Sequence, residues 1–322
     1  MNITEIKNIL AFSLLNGIGP AFIRKNFEFI KINIKYPIEL CSLDRKILFT
    51  DFEINLKIAN SIIEDCESFN IKIISILDNS YPRLLLQIKD PPPVLYLKGN
   101  EALLNKAIAI IGTRKSTDLG NKIASKVGSY FSKNWSICNG LVDGIDKHSI
   151  LSSGNTFPNV IGVLSSGLNY EYTSPKLTKE LAQQVLESNG LLVSEYEPNK
   201  KEDQFSGSKA SRIQAGLANA LILIQSSKKG GSKYTLKAFS LLPRPLAVIN
   251  FKNNKEFTES ANFEANRLII ENDVEGIMEM CEIKKIENIL TSKIFKFEKS
   301  EDYHLLEHEI TTGDNSNTSS LF

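Results

Sequence analysis

Between residues 107 and 250, short apolar runs alternate with amphipathic stretches, and few folds accept that alternation. A run without polar residues at alternate positions is buried on both faces, as in a parallel sheet covered by helices. Six such runs fall at residues 107–111, 136–138, 159–165, 191–195, 220–225 and 246–250, with helical patterns at 147–152, 176–188, 209–219 and 234–241. The helix expected after the first run is well patterned. Leu119, Ile123, Val127, Tyr130 and Phe131 share one face, and Lys122, Lys126 and Lys133 stay off it. The predicted class is α/β, with an extended Rossmann-like, doubly wound and mainly parallel sheet.

The flanks divide the chain further. Near the start, two short helices are expected around Leu14-Leu15-Asn16-Gly17-Ile18-Gly19-Pro20, a helix-hairpin-helix shape in which backbone N–H groups approach a DNA phosphate. The same turn also serves as a packing device. Helix continues over residues 52–70, so residues 1–70 read as a small all-α module. A strand at 71–76 and the run Asp90-Pro91-Pro92-Pro93, which forces an extended connector, open the main domain, residues 71–285. Helical patterns recur at 265–270 and 274–280. Residues 286–322 form a C-terminal extension, and the Ser-, Thr-, Asn- and Gly-bearing stretch 311–322 is expected to be disordered.

No apolar run in the 322 residues approaches the roughly 18 that a membrane span needs. The first residues lack an apolar signal core, so the expectation is a cytoplasmic protein. Cys41, Cys66, Cys138 and Cys281 are far apart without a Cys-x-x-Cys pair, which argues for reduced thiols over disulfides or zinc. The net charge of +1 conceals a division along the chain. Residues 106–250 carry 18 basic and 10 acidic side chains, residues 251–322 carry 8 and 15, and residues 1–105 carry 12 of each. A central segment at +8 suits a polyanionic partner such as nucleic acid, or presents a solvated lysine surface.

Ligands of doubly wound sheets bind beyond the carboxyl ends of the strands. There the first loop reads Gly112-Thr113-Arg114-Lys115-Ser116-Thr117, with a glycine for a tight turn, a hydroxyl, and an arginine able to grip phosphate bidentately. The next ends carry Gly140 and Gly144, then Ser165, Ser166 and Gly167, then Gly230, Gly231, Ser232 and Lys233. This recurrence of glycine, hydroxyl and cation predicts a phosphate-lined crevice. The first strand is followed by no Gly-x-Gly-x-x-Gly and the chain has no Walker loop, which disfavours dinucleotide and NTP-hydrolysis chemistry. No catalytic constellation, cofactor or metal is expected. His148 reads as a cap or packing residue before a base, and Asp143 and Asp146 as caps of the following helix before acid–base groups. Glu195 is placed to receive a ligand hydroxyl or to pair with Arg212. His304 and His308, four apart, lack nearby Cys ligands.

Taken together these residues resemble the DNA-processing protein A (DprA, also Smf) family. The resemblance runs from about Tyr81 to Met280 through Tyr81-Pro82, Asp90-Pro91-Pro92-Pro93-Val94-Leu95-Tyr96-Leu97-Lys98-Gly99-Asn100, Ala109-Ile110-Ile111-Gly112-Thr113-Arg114, Asn139-Gly140-Leu141-Val142-Asp143-Gly144-Ile145-Asp146, Val163-Leu164-Ser165-Ser166-Gly167-Leu168 and Leu192-Val193-Ser194-Glu195-Tyr196. The helical start resembles the family's SAM-like module. The resemblance implies an extended Rossmann fold that binds single-stranded DNA without catalysis, forms a homodimer and helps load a RecA-type recombinase during uptake of transforming DNA. The implied contacts are Gly112, Thr113, Arg114, Lys115, Gly140, Gly144, Ser166, Gly167, Lys209, Arg212, Gly231, Ser232 and Lys233.

The chain also departs from the family pattern. Asn139 and Val142-Asp143 stand in the second glycine loop, where Asp143 places an acid. The family's Phe-Pro-x-Arg-Asn-Arg element keeps Lys209 and Arg212 as cations but has Ala210 and Ser211 between them. Gln225 replaces a frequent acid, and residues 287–322 offer no evident winged helix. A second reading, from a different class, is a sensor of a small nucleotide in a LOG-like Rossmann pocket, including in a phage-defence setting. Cleaving relatives of that superfamily carry Gly-Gly-x-Gly-Thr before a catalytic glutamate. Here Gly230-Gly231-Ser232-Lys233-Tyr234-Thr235 is followed by Leu236-Lys237-Ala238, with no acid.

Overall fold

The computed structural model describes residues 2–313. Five helices open the chain: α1 (Ile3–Ser13), α2 (Pro20–Lys25), α3 (Phe27–Asn33), α4 (Pro37–Cys41) and α5 (Phe49–Ser68). Asn2 caps α1 in a reciprocal arrangement with Glu5, and Gly17, at φ +83°, turns the chain between α1 and α2. Ile9, Phe12, Ile23, Ile30, Leu40 and Phe52 fill the space between these helices.

The remaining chain winds through a nine-stranded sheet. Its elements are β1 (Lys72–Ser75), β2 (Val94–Gly99), β3 (Ala107–Ile111), α6 (Asp118–Phe131), β4 (Ser136–Asn139), α7 (Ile145–Ile150), the small hairpin β5 (Leu151–Ser152) and β6 (Asn155–Thr156), β7 (Val160–Val163), α8 (Tyr170–Thr173), α9 (Lys176–Glu187), β8 (Leu191–Ser194), α10 (Ser206–Leu217), β9 (Ala220–Leu223), α11 (Ser232–Ser240), β10 (Leu246–Ile249), α12 (Lys255–Glu259), α13 (Glu264–Cys281), β11 (Ile294–Phe297) and α14 (Tyr303–Gly313). The strand order is β1-β2-β8-β7-β4-β3-β9-β10-β11, parallel from β8 to β11 and antiparallel over β1, β2 and β8. All five residues of β3 are buried, as expected for a strand covered on both faces. The order reverses between β3 and β9, where Ile108 pairs with Ala220 and Ile111 with Leu223, and this is the topological switch point.

Every expected central strand and helix is present, with ends shifted by a few residues. Besides the β5–β6 hairpin, two strands of the large sheet were not expected. The proline-rich connector continues into β2, which pairs with both β1 and β8. Within residues 286–322, β11 joins β10 in parallel and α14 packs back through Tyr303 onto Tyr130, Phe131 and Phe297. Glu307 there accepts hydrogen bonds from Tyr130, Asn134 and Trp135 at 2.9–3.1 Å. Of the stretch expected to be disordered, residues 311–313 complete α14, where the Thr311 and Thr312 hydroxyls donate to the carbonyls of Glu307 and His308; residues 314–322 lie outside those described.

Arg244 locks the segment between β1 and β2 to the end of α10. Its guanidinium, nearly buried, donates to the carbonyls of Ala215, Gly216 and Ala218 at the carboxyl end of α10, and to Leu84 and Gln87. A cation is favoured there by the helix dipole. All four cysteines are free and buried. No described helix is long and apolar enough to cross a membrane.

Candidate nucleic-acid interface

At the switch point the loops after β3, β4, β7 and β9 and the starts of α10 and α11 surround a crevice of about 650 Å³. The loop after β3 is pinned from both sides. The Thr113 N–H donates to the carbonyl of Gln225 at 2.7 Å, and the Thr113 carbonyl accepts from Ile145 N–H at 3.2 Å. The buried Gln225 side chain receives Thr117 N–H at 3.0 Å and donates to the Thr117 hydroxyl at 2.9 Å, while that hydroxyl caps α6. Any side chain at Gly112 would strike Ile145 and the Gln225 carbonyl, at 2.4 and 2.8 Å. Gly144, at φ +80°, has the Thr113 carbonyl 2.3 Å from where a Cβ would sit, so it lets the second glycine loop pack on the first. The Thr113 hydroxyl turns inward to accept Lys115 N–H at 3.1 Å. Arg114 and Lys115 are left exposed on the crevice wall, with no ion pair among the described residues.

The floor holds one buried acid. Asp146 accepts the Gly140 N–H at 2.9 Å and also a hydrogen bond from the Val142 backbone. Burial pushes its carboxyl up to about 7, against the downward pull of those N–H groups and of Arg114. Asn139 shapes the same loop by donating to the Asp146 carbonyl and the Ser149 hydroxyl and accepting Leu141 N–H. The expectation that Asp143 and Asp146 cap the following helix is corrected here. The cap position of α7 is Gly144, without a side-chain bond, and the Asp146 carboxylate reaches backward because the tight turn brings Gly140 to it. Asp143 is exposed and absent from the crevice lining. His148 faces a different groove, on α6.

The other expected contacts separate into two groups. Gly140, Gly231 and Ser232 line the crevice with Gly112, Thr113, Arg114 and Lys115. Ser166 and Gly167 are buried beneath it, Ser166 against Ser174 and Gly167 against the carbonyls of Glu197 and Pro198, and Ser165 takes the lining position. Arg212 is fully engaged: its guanidinium forms a bidentate pair with Glu195 at 2.7 and 2.8 Å and a third bond to Asp90 at 2.9 Å, which settles Glu195 as a pairing residue. Lys209 lies outside the lining with its ammonium over the Tyr196 ring, and Lys233 pairs with Glu282 at 2.9 Å.

The sequence reading missed the aromatic rim. Phe205, 60% exposed, precedes α10, and Tyr234, 49% exposed, lies in the first turn of α11; both line the crevice. The available signal was an aromatic in a polar helix start, in Gln204-Phe205-Ser206-Gly207 and Ser232-Lys233-Tyr234. The first turn of α11 carries no acid and no side-chain cap, so its N–H dipoles add positive potential to that of Arg114 and Lys115. Cations, helix-end donors and exposed rings together form an arrangement that could accept an anionic phosphate beside a flat apolar group.

The family profile of DNA recombination-mediator protein A matches residues 72–283. The chain is 34% identical to the DNA processing protein DprA of Bacillus subtilis over 168 residues, which is 51% of this chain and 56% of that protein. It is 29% identical to protein Smf of Synechocystis sp. over 245 residues, 71% of this chain and 60% of that one. The matches thus span less than two thirds of these curated relatives. Among solved structures, DprA of Streptococcus pneumoniae superposes with a TM-score of 0.67 at 22% identity, covering 95% of this chain and 98% of that one. DprA of Helicobacter pylori gives 0.54 at 23%, covering 68% and 94%.

Proposed function

Because the chain belongs to the DNA recombination-mediator protein A family, we propose that its crevice grips the backbone of single-stranded DNA without transforming it, as part of DNA recombination. The observation that carries this reading is the pairing of two unpartnered cations, Arg114 and Lys115, with two exposed rings, Phe205 and Tyr234, around one cavity. Single-strand binding without base readout calls for that combination, cations along the backbone and aromatic faces on which bases stack. The Helicobacter pylori relative, reported for its single-stranded DNA binding mode, supports the same assignment. Non-catalytic action fits a lining whose one carboxylate, Asp146, is taken up by backbone N–H groups.

The proposal extends to a homodimer that assists a RecA-type recombinase, during DNA uptake and recombination or in phage defence. Gene neighbourhood separates these settings, and light scattering tests the dimer. The DNA reading is tested by fluorescence anisotropy with oligo-dT at two salt concentrations. Arg114→Ala weakens binding and makes the log–log salt dependence shallower by about 0.7, the share of one phosphate contact. Unchanged affinity at both salts refutes it. The cavity volume, about 650 Å³, also lies in the range of small-ligand sites and favours a second reading, a nucleotide sensor. A thermal-shift screen with mono- and dinucleotides tests that reading, which falls if none stabilises the protein.

A further inference from the structure

A second cavity, of about 570 Å³, lies against the outer face of α6 and is walled by Lys122, Lys126, His148, Phe251 and Tyr303, with Asp118 at its end. It adjoins the crevice through one short piece of chain. Lys115 lines the crevice and Asp118 lines this groove, so the two sites are at most about 11 Å apart along three residues. The intervening loop is held in place by Ser116, which donates to Asn121, and by Asn262, which donates to the Lys115 carbonyl at 3.3 Å.

The chemistry of the groove repeats that of the crevice. Lys122 and Lys126 stand one helical turn apart, about 6 Å, on the exposed face of α6, and neither forms an ion pair among the described residues. Burial and the neighbouring Lys147 push the His148 imidazole below its ordinary range, leaving it a neutral donor and acceptor at pH 7. Burial pushes the Tyr303 phenol up to about 12, so it remains a donor. Neither side chain has a hydrogen-bond partner among the described residues. Phe251 adds an apolar wall. Asp118 is the one acid in the lining, at the end nearest the crevice.

We propose that this groove is a second nucleotide-phosphate site, in which Lys122 and Lys126 hold the backbone of the strand that leaves the crevice past Lys115 while Phe251 flanks a base. The inference rests on the crevice reading and extends its footprint along α6. Its chemistry would also suit a free mononucleotide, which the test separates.

The test compares the wild type with the double variant Lys122→Gln/Lys126→Gln, two exposed helix positions at which Gln maintains helix propensity. Anisotropy is measured with oligo-dT of about 4 and about 16 nucleotides, the span of known single-strand site sizes. The expected result is unchanged affinity for the short strand, and for the long strand weaker binding with a log–log salt slope shallower by about 1.4. Equal affinity of both proteins for the long strand overturns the inference while leaving the crevice reading intact. Equal loss for both strands also overturns it, because the lysines then act on the crevice itself. Wild-type protein that binds neither strand refutes both readings. Thermal stabilisation by dTMP that the double variant loses, with long-strand binding unaffected, overturns the strand path in favour of a free nucleotide.

Discussion

Asp146 places a pH dependence in the crevice floor. Its carboxyl titrates near 7 in the folded chain against an ordinary 3.8, because burial disfavours the anion more than the Gly140 and Val142 N–H groups and Arg114 favour it. Between those two values the folded chain holds a proton that the unfolded chain has released. Stability from this group is complete below 3.8 and falls by about 1.4 kcal/mol per pH decade until the folded value is passed, above which it is flat. From about pH 5 to about pH 8 the loss is therefore about 3 kcal/mol, or a fall in Tm of about 5 °C. Asp146→Asn keeps an acceptor for the Gly140 N–H and removes the titration. Melts of both proteins across this range, read as the difference between them, cancel His148 and the other titrating groups. The Asn variant should lose about 3 kcal/mol less than wild type. Binding of oligo-dT follows the same window, since an ionised Asp146 repels phosphate, so wild-type affinity drops as pH rises through 7 and the variant's does not. Parallel pH profiles for the two proteins would show that Asp146 is not the group and refute the argument.

Other consequences concern separate parts of the site. Arg212→Ala leaves Glu195 a buried, unpaired charge and should cost about 3–5 kcal/mol in urea unfolding, a loss that a surface phosphate contact would not produce. Arg244→Ala strips donors from the carbonyls of Ala215, Gly216, Ala218 and Leu84 at once and should cost at least about 3 kcal/mol, measured the same way. Phe205→Ala and Tyr234→Ala should each weaken oligo-dT binding by about 1–3 kcal/mol in anisotropy, with unfolding midpoints unchanged because both rings are exposed.

What the sequence made legible follows from what each element depends on. The parallel strands announce themselves because burial on both faces forbids polar residues, as in Ala107-Ile108-Ala109-Ile110-Ile111. β2 was hidden behind Pro91-Pro92-Pro93, whose extended geometry is shared by connectors and strands alike, and its partners lie at residues 72–75 and 191–194. β11 has only four residues, Ile294-Phe295-Lys296-Phe297, in an acidic segment; it is a strand because β10, some 48 residues earlier, offers an open edge. In the site, glycine positions were legible as turns, but side-chain direction was not. The pair of Arg212 with Glu195 was among the readings open in the sequence, but nothing local to Arg212 reveals that Asp90, 122 residues away, joins it.

Charge gives the same lesson at larger scale, and it bears on where a polyanion can bind. The central segment is at +8 and residues 251–322 are at −7, but the fold brings parts of the two together. Lys228 pairs with Glu279 and Lys233 with Glu282, because α11 packs beside α13. Arg212 is consumed by Glu195, within the central segment, and by Asp90, outside it, and Lys200 pairs with Asp203. Arg114, Lys115, Lys122 and Lys126 have no such partners among the described residues. These four lie in sequence across one loop and the first turns of one helix, so the unneutralised charge runs as a band from the crevice onto α6. Residues that carry the family resemblance shape this region: Gly112, Gly144 and Asp146 fix the loops, and Asn139, a departure from the family pattern, joins them. On the proposed reading the DNA contacts are Arg114, from the same motifs, together with Lys115, Lys122, Lys126 and the exposed rings, and these would set affinity once the loops are in place.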